Sequence, residues 1–326
     1  MTPTELAGCC PFVDEVYAVE YTDFLHGAGD PEAALVAIPR DWDYVLDDAR
    51  SEQDAQQQFA GLRRYYDAAR LHFRARVAHG LAGREPPAYA PHGQLRLVLP
   101  SRRELAAPVT IAVLPAGSSE PSRYPSIRSW ELILRALADA LPGTLFCFVG
   151  KFVRDRQTAT SLARGDLDRL IAAVPHAVEC VDRPILEQLA FVEACDLFVA
   201  PHTGFGCAVL AVGTPWLCLS GGPWHEWLFN GVPFYSVLPD SERFPCFTGM
   251  DRPPPPVEDD GLRTPSMSRA RIEHDLPELL DAARLLVERR LSYEDALARY
   301  FPRLLEAYGG DRSRIFSFDG IHEQYI

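Results

Sequence analysis

The sequence predicts an α/β protein built on a doubly wound parallel sheet. From Val109 onward, short apolar runs alternate with helix-like segments of roughly ten to fifteen residues, which is the pattern of such a sheet. Residues 195–215 show one unit most clearly: a short apolar strand, a glycine-containing turn and a helix of small residues. Because ligands of these sheets bind beyond the carboxyl ends of the strands, we expect the functional residues in the turns that follow them.

Composition and charge limit the class of protein further. With 326 residues, of which 47% are hydrophobic and 24% charged, the chain is long enough for two cores of common size. A net charge of −13 argues against a nucleic-acid partner, whose binding depends on clustered Lys and Arg. No apolar run approaches the roughly 20 residues of a membrane span, and the start lacks the pattern of a signal peptide, so we expect a cytoplasmic protein. Eight cysteines without CxxC spacing indicate reduced, mostly buried thiols and no metal site.

Residues 1–100 predict a first, incomplete α/β domain. Short apolar runs indicate strands, and apolar residues at helical spacing indicate one long or broken helix before a connector rich in proline and small residues. The strands are expected at 16–19, 34–38 and 44–46, the helix at 53–81 and the connector at 84–91.

A second domain is predicted over residues 101–250. Its strand-like and helix-like segments alternate regularly, and Ser126 offers an N-cap for the first helix. The strands are expected at 109–114, 144–149, 176–180, 196–200 and 216–219, and the helices at 126–141, 162–174, 185–193 and 207–212.

The remaining residues, 251–326, begin with a proline-rich linker or surface loop over 251–265. Two amphipathic helices follow, at 276–290 and 292–308. Because their apolar faces need a partner, we expect them to pack back across the two domains.

Two turns carry the features of an anion site. After the strand 196–200, the turn 203–206 leaves backbone N–H groups uncovered at the start of a helix, where the helix dipole and the unpaired donors favour a phosphate. A second glycine-containing turn, at 114–119, also follows a strand. Glycines in such turns also serve backbone geometry or close helix packing alone, and this alternative stays open for both turns.

These turns, in this order, resemble those of the heptosyltransferase-like (family 9) glycosyltransferases of GT-B architecture, in which two Rossmann-like domains face each other across a cleft. The resemblance spans most of residues 11–240 and implies a GT-B-like fold. The matching stretches are Pro-Phe-Val-Asp-Glu-Val at 11–16, Asp-Tyr-Val-Leu-Asp at 43–47, Pro-Ala-Gly-Ser-Ser at 115–119, Arg-Tyr-Pro at 123–125, Val-Gly-Lys at 149–151, His-Thr-Gly at 202–204 and Gly-Thr-Pro at 213–215.

The sequence departs from the family pattern in three places. His202 stands where the family has Asp, and Cys207 stands where it has His, so the hydrogen bonds of those groups are not carried over. The family also has a longer stretch before the Pro-Phe-Val-Asp-Glu match than the ten residues present here. We therefore expect a shortened N-terminal domain without the family's acidic base, either natively or because the start of the coding region is misplaced.

The resemblance implies an inverting, metal-independent glycosyltransferase. It would move a hexosyl or heptosyl group from a nucleotide-diphosphate sugar to a small hydroxylated acceptor, such as a natural product or glycan, and would need no cofactor. The turns and nearby cations are expected to hold the diphosphate, Glu187 the ribose, and an aromatic ring the sugar or base. The expected donor-binding residues are Gly117, Ser118, Ser119, Arg123, Gly150, Lys151, Glu187, Thr203, Gly204, Phe205, Gly206 and Trp224.

Four residues are candidates for catalysis. His202 could orient the sugar or act as an acid or base, because its unperturbed pKa permits either role. Asp14, Asp23 and His26 lie in the first domain, which should face the cleft from the opposite side, and are candidates for the acceptor base.

Structural and functional alternatives stay open. Arg123 could be a surface arginine, Glu187 an acid that only stabilises a helix start, and His202 a histidine bonded only to backbone. A catalytically silent GT-B-like module that binds a nucleotide or a partner protein, and a nucleotide-sugar epimerase, are the competing functions. The donor base and sugar, the acceptor and the oligomeric state are not determined by the sequence.

Overall fold

The computed structural model describes residues 4–17, 96–154, 159–219, 231–238, 256–312, 315 and 321–326. The chain divides into two compact units, Met1–Pro91 and His92–Ile326. Residues 101–250 and 251–326, which the sequence separates, therefore fall in the same unit.

The described residues of the first unit form one short helix, α1 (Thr4–Gly8), in which Leu6 is buried. The exposed stretch 11–17 follows it without regular secondary structure. The second half of the strand predicted at 16–19 lies outside the described residues, as do the strands predicted at 34–38 and 44–46, the helix at 53–81 and the connector at 84–91.

The second unit is built on a six-stranded parallel sheet with the order β3-β2-β1-β4-β5-β6. This is the order of a doubly wound, Rossmann-type sheet, so the α/β class that the sequence predicts is confirmed. The strands are β1 (Val109–Val113), β2 (Thr144–Phe148), β3 (Ala177–Glu179), β4 (Leu197–Pro201), β5 (Trp216–Leu219) and β6 (Phe234–Ser236); a separate antiparallel pair is formed by β7 (Val257–Glu258) and β8 (Leu262–Arg263).

Within the described ranges, four helices connect the strands from β1 to β5 in turn, and two longer helices follow the β7–β8 pair. The side chain of Ser126 accepts a hydrogen bond from Ser129 N at 3.2 Å and so caps α2, as its place in the sequence predicts. The bounds are α2 (Ile127–Ala140), α3 (Arg164–Ala172), α4 (Ile185–Glu193), α5 (Gly204–Leu210), α6 (Arg269–Val287) and α7 (Tyr293–Ala307).

Two helices begin earlier than the sequence predicts. Helix α5 starts at Gly204 rather than at residue 207, because the Thr203 side chain accepts a hydrogen bond from Gly206 N at 3.0 Å. Helix α6 starts at Arg269 rather than at residue 276 and runs through Pro277. The proline ring removes one backbone hydrogen bond from the helix. Burial of apolar side chains before and after Pro277 offsets that cost.

Two elements are missing from the sequence prediction. Strand β6 has only three residues, so it shows no readable alternation. The pair β7–β8 lies inside the stretch interpreted as a linker or surface loop, because its strands have two residues each beside a proline run.

The core lies on both faces of the sheet. Strand β4 is buried along its whole length, as expected for a strand covered by helices on both sides. Helix α6 packs against α2 and β5, and α7 packs against β6, so the two C-terminal helices complete the second unit. The largest fully buried side chains are Trp130, Phe146, Phe148, Phe198, Trp216, Phe234 and Phe301. Within the described residues, no helix combines the length and apolar character needed to cross a bilayer.

Candidate functional site

The sheet changes winding direction at its centre, where β1 lies between β2 and β4. The chain leaves β1 through α2 toward β2, and it leaves β4 through α5 toward β5. The connections therefore diverge beyond the strand ends, and sheets of this type bind ligands in the crevice at that point. Residues 114–119, here called the β1 turn, and residues 202–206, the β4 turn, border this crevice.

The β1 turn is held by hydrogen bonds to its carbonyl oxygens. Three successive carbonyl oxygens, those of residues 115–117, accept hydrogen bonds. The donors are Trp130 Nε1 at 3.0 Å, Thr160 Oγ1 at 2.9 Å and Ser161 N at 2.8 Å, in that order along the turn. The turn is thus tied to α2 and to the connection between β2 and α3.

This arrangement decides where the amides of the β1 turn point. In a trans peptide the C=O and the following N–H point in opposite directions. The N–H groups of Gly117 and Ser118 therefore point away from residues 160 and 161, and no acceptor from the described part of the chain reaches them. Because β4 flanks β1 on the side opposite β2, the β4 turn is the neighbouring turn on the side of the β1 turn away from β2.

The β1 and β4 turns are in contact. A Cβ added to Gly117 would lie 3.0 Å from Thr203 Cγ2 and 2.9 Å from Tyr124 Oη. A side chain at position 117 would therefore require the Tyr124 and Thr203 side chains to shift. The close approach of the Tyr124 and Thr203 side chains to the Gly117 backbone is the reason for a glycine here, and it brings the predicted donor-binding residues Gly117 and Thr203 together.

The β4 turn combines packing with exposed amides. A Cβ at Gly206 would lie only 2.1 Å from Trp216 Cη2, so this glycine serves close packing of α5 on β5. Gly204, by contrast, is exposed, with open space where a Cβ would point. Among the residues that the structure describes, none accepts from the N–H groups of Gly204 and Phe205. These two amides are the donors that this turn offers to a ligand.

Side chains of the β1 turn and the residues after it add polar groups to the crevice edge. Ser118 and Ser119 are exposed, and Ser119 N donates to Tyr124 Oη at 3.0 Å. Arg123 is half-buried, and within the described residues no carboxylate forms an ion pair with it. The guanidinium is therefore a candidate to bind an anion.

Gly150 and Lys151 follow β2, on the other side of β1 from the β4 turn. Gly150 has φ +145°, a conformation that favours glycine, and its N–H donates to Gln188 Oε1 at 2.9 Å. Its amide is thus used within the protein. Lys151 is half-buried, and its carbonyl oxygen accepts from Thr160 N at 2.6 Å. Thr160 therefore links the β1 turn to the backbone of Lys151.

Glu187 lies in the first turn of α4 and is engaged by two arginines. Its carboxylate pairs with Arg103 at 3.4 Å and with Arg183 at 3.5 Å. Both guanidinium groups also lie over the ring of Phe191, at 5.0 and 5.3 Å from its centroid. A ribose hydroxyl would have to share the carboxylate with these partners, and the ribose role stays a prediction.

The candidates for catalysis differ in their exposure to solvent. The ring of His202 stands edge-on to that of Trp216, with 6.3 Å between the centroids, and both ring nitrogens are shielded from solvent. Asp14 is exposed in the first unit. Asp23, His26 and Trp224 lie outside the described residues. The four catalytic roles and the donor-binding role of Trp224 stay predictions.

The sequence analysis missed three residues that shape the site. Thr160 ties two loops together, and Asp182 and Gln188 hold the backbone beside Lys151. The sequence position of Asp182 could have identified it, because it follows strand β3 at the edge where ligands of such sheets bind. Thr160 had none, because a single threonine in a long connection has no pattern.

Among known proteins, this chain matches solved structures only. No protein-family model matches the chain, and no curated protein matches it. The chain is similar to solved glycosyltransferase structures. A family 9 glycosyltransferase of Veillonella parvula is 14% identical over 56% of this chain and 47% of its own, with a TM-score of 0.36. The E. coli ADP-heptose lipopolysaccharide heptosyltransferase II is 14% identical over 54% and 47%, also with a TM-score of 0.36.

A third match is the dodecameric iron-containing heptosyltransferase TibC of enterotoxigenic E. coli, solved in complex with ADP-D-β-D-heptose. It is 13% identical over 71% of this chain and 55% of its own, with a TM-score of 0.40. The chain thus spans about half the length of the solved structures that it matches. The matched proteins are of the kind that the sequence motifs resemble.

Proposed function

We propose that this chain binds a nucleotide-diphosphate sugar at the β1 and β4 turns and transfers the sugar to a small hydroxylated acceptor. The observation that carries the proposal is the contact between Gly117 and Thr203, which brings two sets of backbone N–H donors to one crevice. The amides of residues 117 and 118 and those of residues 204 and 205 have no acceptor among the described residues, so both turns offer donors to a ligand. Converging amides of this kind suit the oxygens of a diphosphate.

The chemistry would be a single displacement. The acceptor oxygen forms a bond to the anomeric carbon from the face opposite the diphosphate, and the bond from that carbon to the diphosphate oxygen breaks. The configuration inverts, the hydroxyl proton passes to a base, and negative charge develops on the diphosphate. Fixed amides, Arg123 and Lys151 would stabilise that charge without a metal. His202, Asp14, Asp23 and His26 are the candidates for the base, and the transferred sugar would be a hexose or heptose.

A second function deserves a separate test because of the environment of His202. Its ring nitrogens are shielded from solvent, which favours a structural role for this histidine. If no other group serves as the base, the chain would be a module that binds nucleotide without turnover. Incubation of the purified protein with ADP-, UDP- and GDP-sugars separates the two. Release of nucleoside diphosphate, alone or with an added acceptor, supports the transferase, and binding without release supports the silent module.

Binding itself is tested by thermal unfolding with ADP, UDP and GDP. We expect at least one of them to raise Tm, because a ligand at 100 times its Kd adds about 2.7 kcal/mol to the free energy of unfolding. Lys151→Ala should weaken that binding and leave Tm without ligand nearly unchanged. Arg135→Gln, on the exposed face of α2, is the matched loss of one positive charge away from the turns and should bind as the wild type does. A Tm that responds to none of the three diphosphates would refute the donor site.

A further inference from the structure

The backbone around Lys151 is fixed by a neighbouring turn. The connection from β2 to α3, residues 149–163, carries Lys151 and is here called the β2 loop. The turn between β3 and α4 lies beside it, because β2 and β3 are adjacent strands of the sheet. Polar groups of that turn reach the β2 loop on both sides of Lys151.

Asp182 makes three of these contacts. Its Oδ1 accepts from Phe152 N at 2.7 Å and from Val153 N at 3.0 Å, and its own N–H donates to the Gly150 carbonyl at 3.0 Å. Asp182 has φ +60°, a conformation that few residues other than Gly, Asn and Asp adopt. The turn is thus shaped so that one carboxylate oxygen faces two successive amides.

The peptide group between residues 151 and 152 is held from both directions. Its C=O accepts from Thr160 N at 2.6 Å, and its N–H donates to Asp182. Because C=O and N–H point oppositely, the two bonds prevent rotation of this peptide plane. The direction in which the Cα of Lys151 projects its side chain is then set by the β3–α4 turn.

Gln188 supports the same arrangement. This side chain is buried, and its Oε1 accepts from Gly150 N while its Nε2 donates to the Arg183 carbonyl at 2.7 Å. The residue before Lys151 and the two residues after it therefore all have their amides bound to the segment 182–188.

We propose that Asp182 is a positioning residue that fixes Lys151 for contact with the donor diphosphate. The inference rests on the proposed function, since it assigns Asp182 its effect through the cation of that site. A side chain held by its backbone loses less entropy on binding, so its contact with the ligand is stronger.

The test uses calorimetric titration of full-length protein with ADP, UDP and GDP. Asp182→Gly removes the carboxylate and keeps the positive φ, so the variant should fold. Asp182→Asn keeps an oxygen that can accept from both amides and is the matched control. We expect Asp182→Gly to lower affinity about tenfold, with two charge-assisted hydrogen bonds lost, and Asp182→Asn to restore most of it.

Two further readouts distinguish positioning from general stability. Hydrogen exchange at the amides of residues 152 and 153 should accelerate in Asp182→Gly and stay slow in Asp182→Asn. In a Lys151→Ala background, Asp182→Gly should reduce affinity by less than about twofold, because the group that it positions is absent.

The outcomes separate the inference from the proposed function. Wild-type protein that binds none of the three diphosphates overturns both. Wild-type binding with unchanged affinity in Asp182→Gly overturns the inference alone. An equal loss of affinity with and without Lys151 also overturns it, since Asp182 would then act independently of that lysine.

Discussion

At the scale of single residues, the glycines near the crevice have different physical causes. Gly117 lets two turns touch, Gly206 accommodates the Trp216 indole, and Gly150 has a positive φ. Gly204 meets nothing and is exposed. The glycines of these turns are therefore required for different reasons, some for close packing and one for its backbone conformation. Of the two glycines in the β4 turn, Gly204 is the one that lies open to a ligand.

Gly206→Ala and Gly204→Ala form a matched pair that tests this distinction. The first places a methyl group against Trp216 and should lower the free energy of unfolding by about 1 to 3 kcal/mol through overpacking. The second has open space at the same short helix and should remain within about 0.5 kcal/mol of the wild type. Chemical denaturation of both variants measures the difference. Equal losses would show that Trp216 does not limit position 206.

At the scale of elements, a polar cluster joins β6 to the two C-terminal helices. Tyr235 Oη donates to Glu278 Oε1 at 2.9 Å, and Arg303 donates to the same hydroxyl at 2.9 Å. Arg303 also pairs with Glu278 and lies over the Tyr235 ring. These bonds connect β6, α6 and α7.

This cluster makes a pH-dependent prediction. Burial, and beside it the Glu278 carboxylate, raise the pKa of Tyr235 from 10.0 to about 12, although Arg303 opposes the shift. Since the pKa is higher in the folded state, the protonated tyrosine stabilises the fold fully below pH 10, and that contribution is lost as pH rises toward 12.

Tyr235→Phe should therefore lose less stability than the wild type between pH 10 and pH 12. Denaturant midpoints at a series of alkaline pH values check the difference, and the absorbance of tyrosinate reports when the side chain ionises. Parallel pH profiles for the two proteins would rule out a contribution from Tyr235.

At the scale of the whole molecule, the C-terminal helices belong to the core of the second unit. Phe301 on α7 is fully buried and packs edge-on against Tyr300, whose ring in turn contacts Phe234 on β6. The last strand of the sheet is thus covered by the last long helix of the described chain. Residues beyond the proline run are part of the fold that presents the β1 and β4 turns.

Phe301→Ala tests the contribution of α7. The substitution should lower the free energy of unfolding by about 3 to 5 kcal/mol, because it removes a buried aromatic ring and leaves a cavity. Leu262→Ala is the control, since Leu262 is a large apolar side chain that is 56% exposed. Its loss should change stability by less than about 0.5 kcal/mol. Similar effects of both substitutions on the denaturation midpoint would contradict the assignment of α7 to the core.

The pattern of residues along the chain determined most of the strands and helices of the second unit. Buried strands and amphipathic helices have distinct periodicities, and a cap such as Ser126 marks a helix start within a few residues. The sequence also determined which turns follow which strands, and hence the glycine turns that border the crevice. Strand β6 was not predicted, because three residues are too few to show an alternation of apolar and polar side chains.

The tertiary structure alone decided which groups meet. Gly117 contacts Thr203, and Thr160 bonds to the β1 turn, although these partners are far apart in the sequence. Asp182 holds the β2 loop because β2 and β3 are neighbours in the sheet. Periodicity reports how each segment buries its own apolar face, whereas hydrogen bonds between loops depend on strand order and register, which arise only when the segments pack together.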